Sequence, residues 1–215
     1  RDILQAYREG FVGSWCDPED TDKLLGELPH PLFGVAAPTL YGTGKGKIAL
    51  LYKSVQKFDP TFGAHERQTT GDCVSHSTRS AVDVTRCHEI VGGQREDFIA
   101  RGATEAIYGS RGHGGQGMSC SVAARFVAKN GGILVRKDYG FVDFSKYNSK
   151  IGTNWGRSGV PRDVIEEGKK HQVKTISLVK SVEEARDAIA NGYALSVCSN
   201  YGFSSRRDSH GIARK

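Results

Sequence analysis

Apolar positions follow two patterns along this chain. From Cys73 onward, Val74, Ser77, Ala81, Val84, His88 and Val91 recur every three or four residues. That is the period of a helix with one face on a core, and Gly92-Gly93 supplies its stop. Val122, Ala123, Phe126 and Val127 predict a second helix over about 121–130, ended by Asn130-Gly131-Gly132 and followed by an extended Ile133-Leu134-Val135. Pro161 suits the first residue of a third helix, running to about Gln172. Ser181-Val182-Glu183-Glu184 reads as a capping box, in which the Ser hydroxyl caps an amide and the Glu reaches back. The helix it opens ends at Asn191-Gly192. Three segments read as strands instead: Ile48 to Tyr52, Val173 to Val179, and Tyr193 to Ser199, with Tyr193, Leu195 and Val197 on one face. Residues 140–160, with Asn148, Gly152 and Gly156, read as loop. The pattern as a whole predicts an α+β chain, helical first and sheet-forming at its end.

Residues 1–46 lack a sustained period. Arg1 to Phe11 reads as a short helix carrying Ile3, Leu4 and Tyr7 on one face. Asp17-Pro18, Pro29-His30-Pro31 and Gly42-Thr43-Gly44-Lys45-Gly46 then punctuate what reads as an extended N-terminal arm. Gly44-Lys45 lacks the G-x-x-x-x-G-K-[ST] spacing of a phosphate loop.

Composition narrows the function classes. Glycine is about twice as frequent as usual, at 27 of 215 residues, so tight turns should be many. No window reaches 18 uninterrupted apolar residues, which excludes a membrane-spanning helix. Net charge is +6, but the basic residues are scattered and form no aromatic-interleaved stripe, so nucleic acid is not an expected partner. Residue 1 is Arg and the single Met is Met118, which points to a processed or truncated product of something longer.

The cysteines Cys16, Cys73, Cys87, Cys120 and Cys198 are odd in number, widely spaced and without a C-x-x-C. Neither a disulfide framework nor a zinc knuckle is expected from them. A reducing setting fits: the cytoplasm or the inside of a viral particle rather than secretion. No His/Cys spacing suits a metal, so neither metal nor cofactor is expected.

The stretch that carries chemistry is Glu66-Arg67-Gln68-Thr69-Thr70-Gly71-Asp72-Cys73-Val74-Ser75-His76-Ser77. It leads a glutamine loop through glycine into a helix whose first residue is cysteine. Helix N-terminal amides stabilise negative charge and lower a thiol pKa from about 8.5 toward neutrality. The same amides can hold an oxyanion on an attacked carbonyl, and a glutamine just upstream can add a donor. Asp72 acts in the opposite sense, because a neighbouring carboxylate raises a thiol pKa.

Gln68 to Cys73 and the helix that follows resemble the papain-like cysteine peptidases, in which a Gln precedes a Gly-x-Cys helix start. Gly112-His113-Gly114-Gly115, the helix around Ala123 to Asn130, Gly131-Gly132-Ile133 and Asp138-Tyr139 resemble the family's double glycine, helix, Asn-Gly-Gly-Ile turn and acidic-Tyr pair. Glu183 to Val197 resembles the helix and strand that lead toward the catalytic histidine. The likeness covers roughly residues 60–205. It implies a two-lobe fold, with a helical lobe over 47–172 and a partial antiparallel, barrel-like lobe from 173. It also implies Cys73 as nucleophile, Gln68 as oxyanion donor, and Gly114 and Gly115 lining a substrate cleft where a missing side chain admits peptide backbone.

The chain departs from the pattern in three places. The Gln-to-Cys spacing is one residue short. Gly112 stands where the family has a cysteine. The histidine segment is expected at or beyond Lys215, with His210 and His76 as the candidates inside the chain, while His88 falls in the core stripe. An Asp-Cys pair opening a helix also suits a bacterial cell-wall amidase, but the glycine motifs favour the papain-like reading. Two functions follow as expectations. One is a thiol peptidase acting on polypeptides through Cys73. The other is a silent papain-like domain packed among neighbouring subunits of an assembly such as a phage particle.

Overall fold

A computed structural model describes residues 31–62, 66–198 and Ser209. The helix predicted at Arg1–Phe11, Cys16 and His210 lie outside the described residues. In chain order the α-helices are α1 (Phe33–Ala36), α2 (Tyr52–Gln56), α3 (Cys73–Val91), α4 (Glu105–Gly109), α5 (Cys120–Arg125), α6 (Ser149–Ser158), α7 (Arg162–Gly168) and α8 (Val182–Ala190). Short 3-10 turns follow α1 and α7, and α5 runs on into a π-turn over Phe126–Asn130.

The α+β expectation with a barrel-like lobe is overturned. Among the described residues there is no β-strand, only the isolated bridge pairs Leu32–Leu178, Gly102–Val135 and Asp138–Asp143. Alternation alone makes no sheet; a ladder needs a neighbouring strand to bond. Residues 173–179 meet other partners: Val173 N donates to Val127 O (3.0 Å), and Leu178 N to Pro31 O (3.2 Å). Residues 193–198 lie against α3, where Ala194 N donates to Thr85 Oγ1 (3.0 Å). The predicted strand at 48–52 is irregular, with Ile48 90% exposed, and passes into α2 at Tyr52.

The periodic helices form where their local signals placed them. α3 is closed by Gly92, whose N–H bonds His88 O (2.9 Å), and by Gly93 at φ +99°. In α8 the Ser181 hydroxyl accepts from Glu184 N (3.0 Å), and the Glu184 carboxylate reaches back to Lys180 N (2.7 Å). The core gathers Val74 from α3, Ala106, Ile107 and Tyr108 from α4, and Ala123, Phe126 and Val127 around α5. Ile133, Leu134, Phe144 and Val164 complete it.

Four helices appear where none was expected: the short α1 and α2, in stretches read as arm and as strand, and the more telling α4 and α6. α4 is buried along its whole length, so it shows no polar face to set a period. α6 packs on α4 through Gly152 and Gly156; a Cβ at Gly152 would come within 2.9 Å of Glu105 O, and one at Gly156 would strike the Arg111 guanidinium. These glycines mark a close helix approach rather than the loop predicted for 140–160.

A disulfide joins Cys120 to Cys198, with Cα atoms 6.4 Å apart, where cysteine spacing predicted none. The cysteines are distant in sequence, and only the fold brings them together. Cys73 and Cys87 are thiols. Burial pushes the Cys87 thiol up to about 12, which leaves it inert near neutral pH.

Residues 31–46 dock on 178–191. Phe33 N donates to Leu178 O (2.9 Å), and the buried Asp187 carboxylate accepts from Gly42 N (2.8 Å) and Gly44 N (2.7 Å). The glycine-rich turn at 42–46 thus binds an anion, and the anion is the chain's own aspartate.

Candidate functional site

Cys73 is the first residue of α3 and is half-buried against the core. Asp72 takes the N-cap position, yet its side chain bonds no helix amide. Its carboxylate, 1% exposed, accepts instead from the Tyr147 hydroxyl (2.9 Å) and from Gln68 Nε2 (3.3 Å). The first-turn amides beside Cys73 are therefore not capped by Asp72, the condition an oxyanion site requires. Burial, reinforced by the Asp72 charge and hydrogen bond, pushes the Tyr147 phenol up to about 12 and keeps it a donor.

The loop that carries Gln68 is pinned at several points. Glu66 receives Arg136 through Nε (3.1 Å) and Nη2 (3.1 Å), and the same guanidinium places Nη1 2.7 Å from the fully buried Glu105. Thr69 Oγ1 donates to Ser149 Oγ (2.6 Å). Gln116 closes the far side, its Oε1 accepting from Gly71 N, Thr70 Oγ1 (2.8 Å) and Tyr108 OH (3.3 Å).

The two motifs matched separately in the sequence are adjacent in space. Gly117 N donates to Gly71 O (3.1 Å), which lays the 112–117 loop beside the turn that leads into Cys73. Gly114 and Gly115 are exposed on that loop. Arg111 fixes the loop from behind: its Nε donates to Gly115 O (3.0 Å) and its Nη1 to Tyr108 O (2.8 Å) and Gly152 O (2.8 Å). The notch left by Gly156 admits that guanidinium.

The candidate bases stand as follows. Arg79 Nη2 lies 3.4 Å from His76 Nδ1 in a hydrogen bond, and Nε2 faces Asp72 Oδ2 at 3.3 Å without hydrogen-bond alignment. His88 shares a 3.2 Å hydrogen bond with Ser54, as suits a packed histidine. A cleft of about 370 Å³ runs beside the first turns of α3, bordered by Gln68, His76, Ser77, Arg79, Ser80 and Arg101 among others. Among the described residues no cluster of His, Cys, Asp or Glu could hold a metal ion, and no helix is long and apolar enough to cross a membrane.

Sequence reasoning missed Gln116, Arg111, Arg136 and Tyr147. Each acts by a hydrogen bond to a residue distant in the chain or hidden in a neighbouring helix, and local spacing carries no sign of it. The one signal in the sequence is that Gln116 directly follows the glycine pair. No family model, no curated protein and no solved structure matches the chain.

Proposed function

We propose that the chain is a papain-like thiol peptidase domain, cutting peptide bonds through Cys73. The carrying observation is the Gly117 N to Gly71 O hydrogen bond of 3.1 Å, with Gln116 bridging the same two loops. That bond lays the glycine loop beside the turn that leads into Cys73 at a helix N-terminus, and in this reading a peptide laid along Gly115, past the Arg157 guanidinium at Gly114, would bring a carbonyl toward Cys73. The Cys73 thiolate adds to that carbonyl carbon, the first-turn amides of α3 receive the oxyanion, and the amine leaves to give an acyl-enzyme. Gln68 joins the oxyanion site by exchanging its 3.3 Å bond to Asp72 for one to the substrate oxygen. With His76 Nδ1 in a hydrogen bond to Arg79, the general base is assigned to a histidine outside the described residues.

A second reading has its own support. Gln68 and His76 are both held by internal partners, as suits a silent domain kept as a structural part of an assembly such as a phage particle. Loss of a general base typically costs about 10²–10⁴ in rate. A thiol-directed peptidyl epoxide separates the two. Selective labelling of Cys73 at neutral pH, faster than a model thiol, is the peptidase outcome; labelling no faster than the model thiol supports the silent domain.

A further inference from the structure

Residues 193–198 leave α8 and run along α3. Tyr193 N donates to Ala188 O (3.0 Å), Ala194 N to Thr85 Oγ1 (3.0 Å), and the Ser196 and Ser77 hydroxyls share a 2.9 Å hydrogen bond. The Tyr193 ring meets Phe33 edge-on. Burial adds little beyond Cys198, which packs on the core, because Tyr193 is 44% and Val197 75% exposed. The covalent link is the Cys120–Cys198 disulfide, which spans 78 residues of sequence.

The ends of that disulfide lie on two different parts of the candidate site. Cys120 opens α5, three residues after the Gly117 that bonds Gly71. Ser196, two residues before Cys198, bonds Ser77, which borders the cleft shared with Gln68 and His76. The bond therefore ties the helix behind the glycine loop to a segment at the edge of the cleft.

We infer that residues 193–198 are a redox-released strap over the Cys73 site, with the Cys120–Cys198 disulfide as its latch. The regulatory sense of the strap rests on the peptidase reading; the mechanics do not. A dithiol opens the latch. Its thiolate attacks one cysteine sulfur to form a mixed disulfide and displaces the other cysteine as thiolate. Its second thiol then closes on the first, freeing the remaining cysteine. Two cysteine thiols and one oxidised dithiol result, with the two protons passing from the dithiol to the cysteines. Opening returns the closed loop's freedom to the chain. The contacts of Tyr193, Ala194 and Ser196 lie at a partly exposed segment, where local opening costs least once the latch is gone.

The test uses the full chain with and without dithiothreitol, read by alkylation mapping and amide hydrogen exchange. In the unreduced protein, Cys120 and Cys198 should resist alkylation. On reduction the amide of Ala194, bonded to Thr85 Oγ1, should exchange at least ~10-fold faster, while those of 79–87 in α3 hold their protection. Cys198→Ser should reproduce the released state without any dithiol. Unchanged exchange at Ala194 overturns the strap, as does alkylation of Cys120 and Cys198 before reduction. Loss of protection across α3 as well overturns it too, because the bond would then support the fold rather than latch a strap. Epoxide labelling of Cys73 is followed in both states, and a several-fold rise on release is expected, because the strap no longer covers the site. Failure to label in either state counts against the peptidase reading alone and leaves the exchange result to decide the strap.

Discussion

The chain has two glycine-rich turns, at 42–46 and 112–117, and they use their backbones in opposite ways. The first is filled from within. Asp187, 3% exposed, takes the amides of Gly42 and Gly44, and Asn191 Nδ2 donates to Thr43 Oγ1 (2.7 Å). The second is fixed by Arg111 at Gly115 O and by Gly117 N at Gly71 O, and the Arg157 guanidinium lies 2.8 Å from where a Gly114 Cβ would stand, while residues 112–116 remain exposed. Glycine marks where a backbone must come close to something. What it comes close to decides between a structural turn and a site. The 42–46 turn has its occupant inside the chain; by proposal, the 112–117 turn awaits a peptide.

Removing the internal occupant should produce the largest effect. Asp187→Ala strips charge-assisted bonds from two amides, that of Gly44 being buried. The expected loss is about 3 kcal/mol of stability, seen as a lower urea midpoint. Limited proteolysis should then cut within 31–46 before the rest of the chain. A midpoint within ~0.5 kcal/mol of wild type would mean that the turn does not depend on its aspartate.

Gly44→Ala tests the same contact from the other side. The added Cβ would sit 2.6 Å from Arg186 O and 2.9 Å from Asp187 N, and backbone atoms cannot step aside as a side chain end can. Overpacking of this kind costs about 2 kcal/mol, again read from the urea midpoint.

These contacts also show what local sequence signals could and could not reveal. α3 and α8 are legible because their period and their caps, Gly92-Gly93 and Ser181, lie within the helix's own residues. α6 is not, because Gly152 and Gly156 resemble turn residues until α4 is seen against them. α4 itself is too short and too fully buried to show a face. The strands at 173–179 and 193–199 fail for a third reason: alternation states what a segment can pair with, never whether the partner exists. At the site, the Cys73 helix start and the glycine pair are legible as motifs. Their adjacency is not, since it depends on the Gln116 carbonyl and on Arg111 seated in the Gly156 notch.

Gln116→Ala acts on that adjacency. Gly71 N, Thr70 Oγ1 and Tyr108 OH would all lose their common acceptor. The sites are partly open to water, so the stability cost should be modest, about 1 kcal/mol. The turn before Cys73 would lose its register with the glycine loop, and peptidyl-epoxide labelling should fall about 10-fold, as misplacement of a reacting pair does. An unchanged labelling rate would separate the glycine loop from whatever Cys73 does.

The smallest change in stability comes from the substitution that most sharpens the comparison. At Gly115 an added Cβ meets nothing closer than His113 Nδ1 at 3.4 Å, an ordinary contact with a side chain that can move. Gly115 is not among the glycines at positive φ, so alanine fits the backbone as it stands. Gly115→Ala should therefore leave the urea midpoint within about 0.5 kcal/mol of wild type. If the 112–117 loop were a structural turn like 42–46, nothing else would change. If peptide backbone lies along it, the methyl stands where the substrate must pass. Labelling by a peptidyl epoxide should then fall several-fold while alkylation by small iodoacetamide holds its rate. That split between a large and a small reagent is one that a general loosening of the fold would not produce, because loosening exposes Cys73 to both. Equal rates with both reagents would return Gly115 to the same class as Gly44, a glycine placed there for the fold alone.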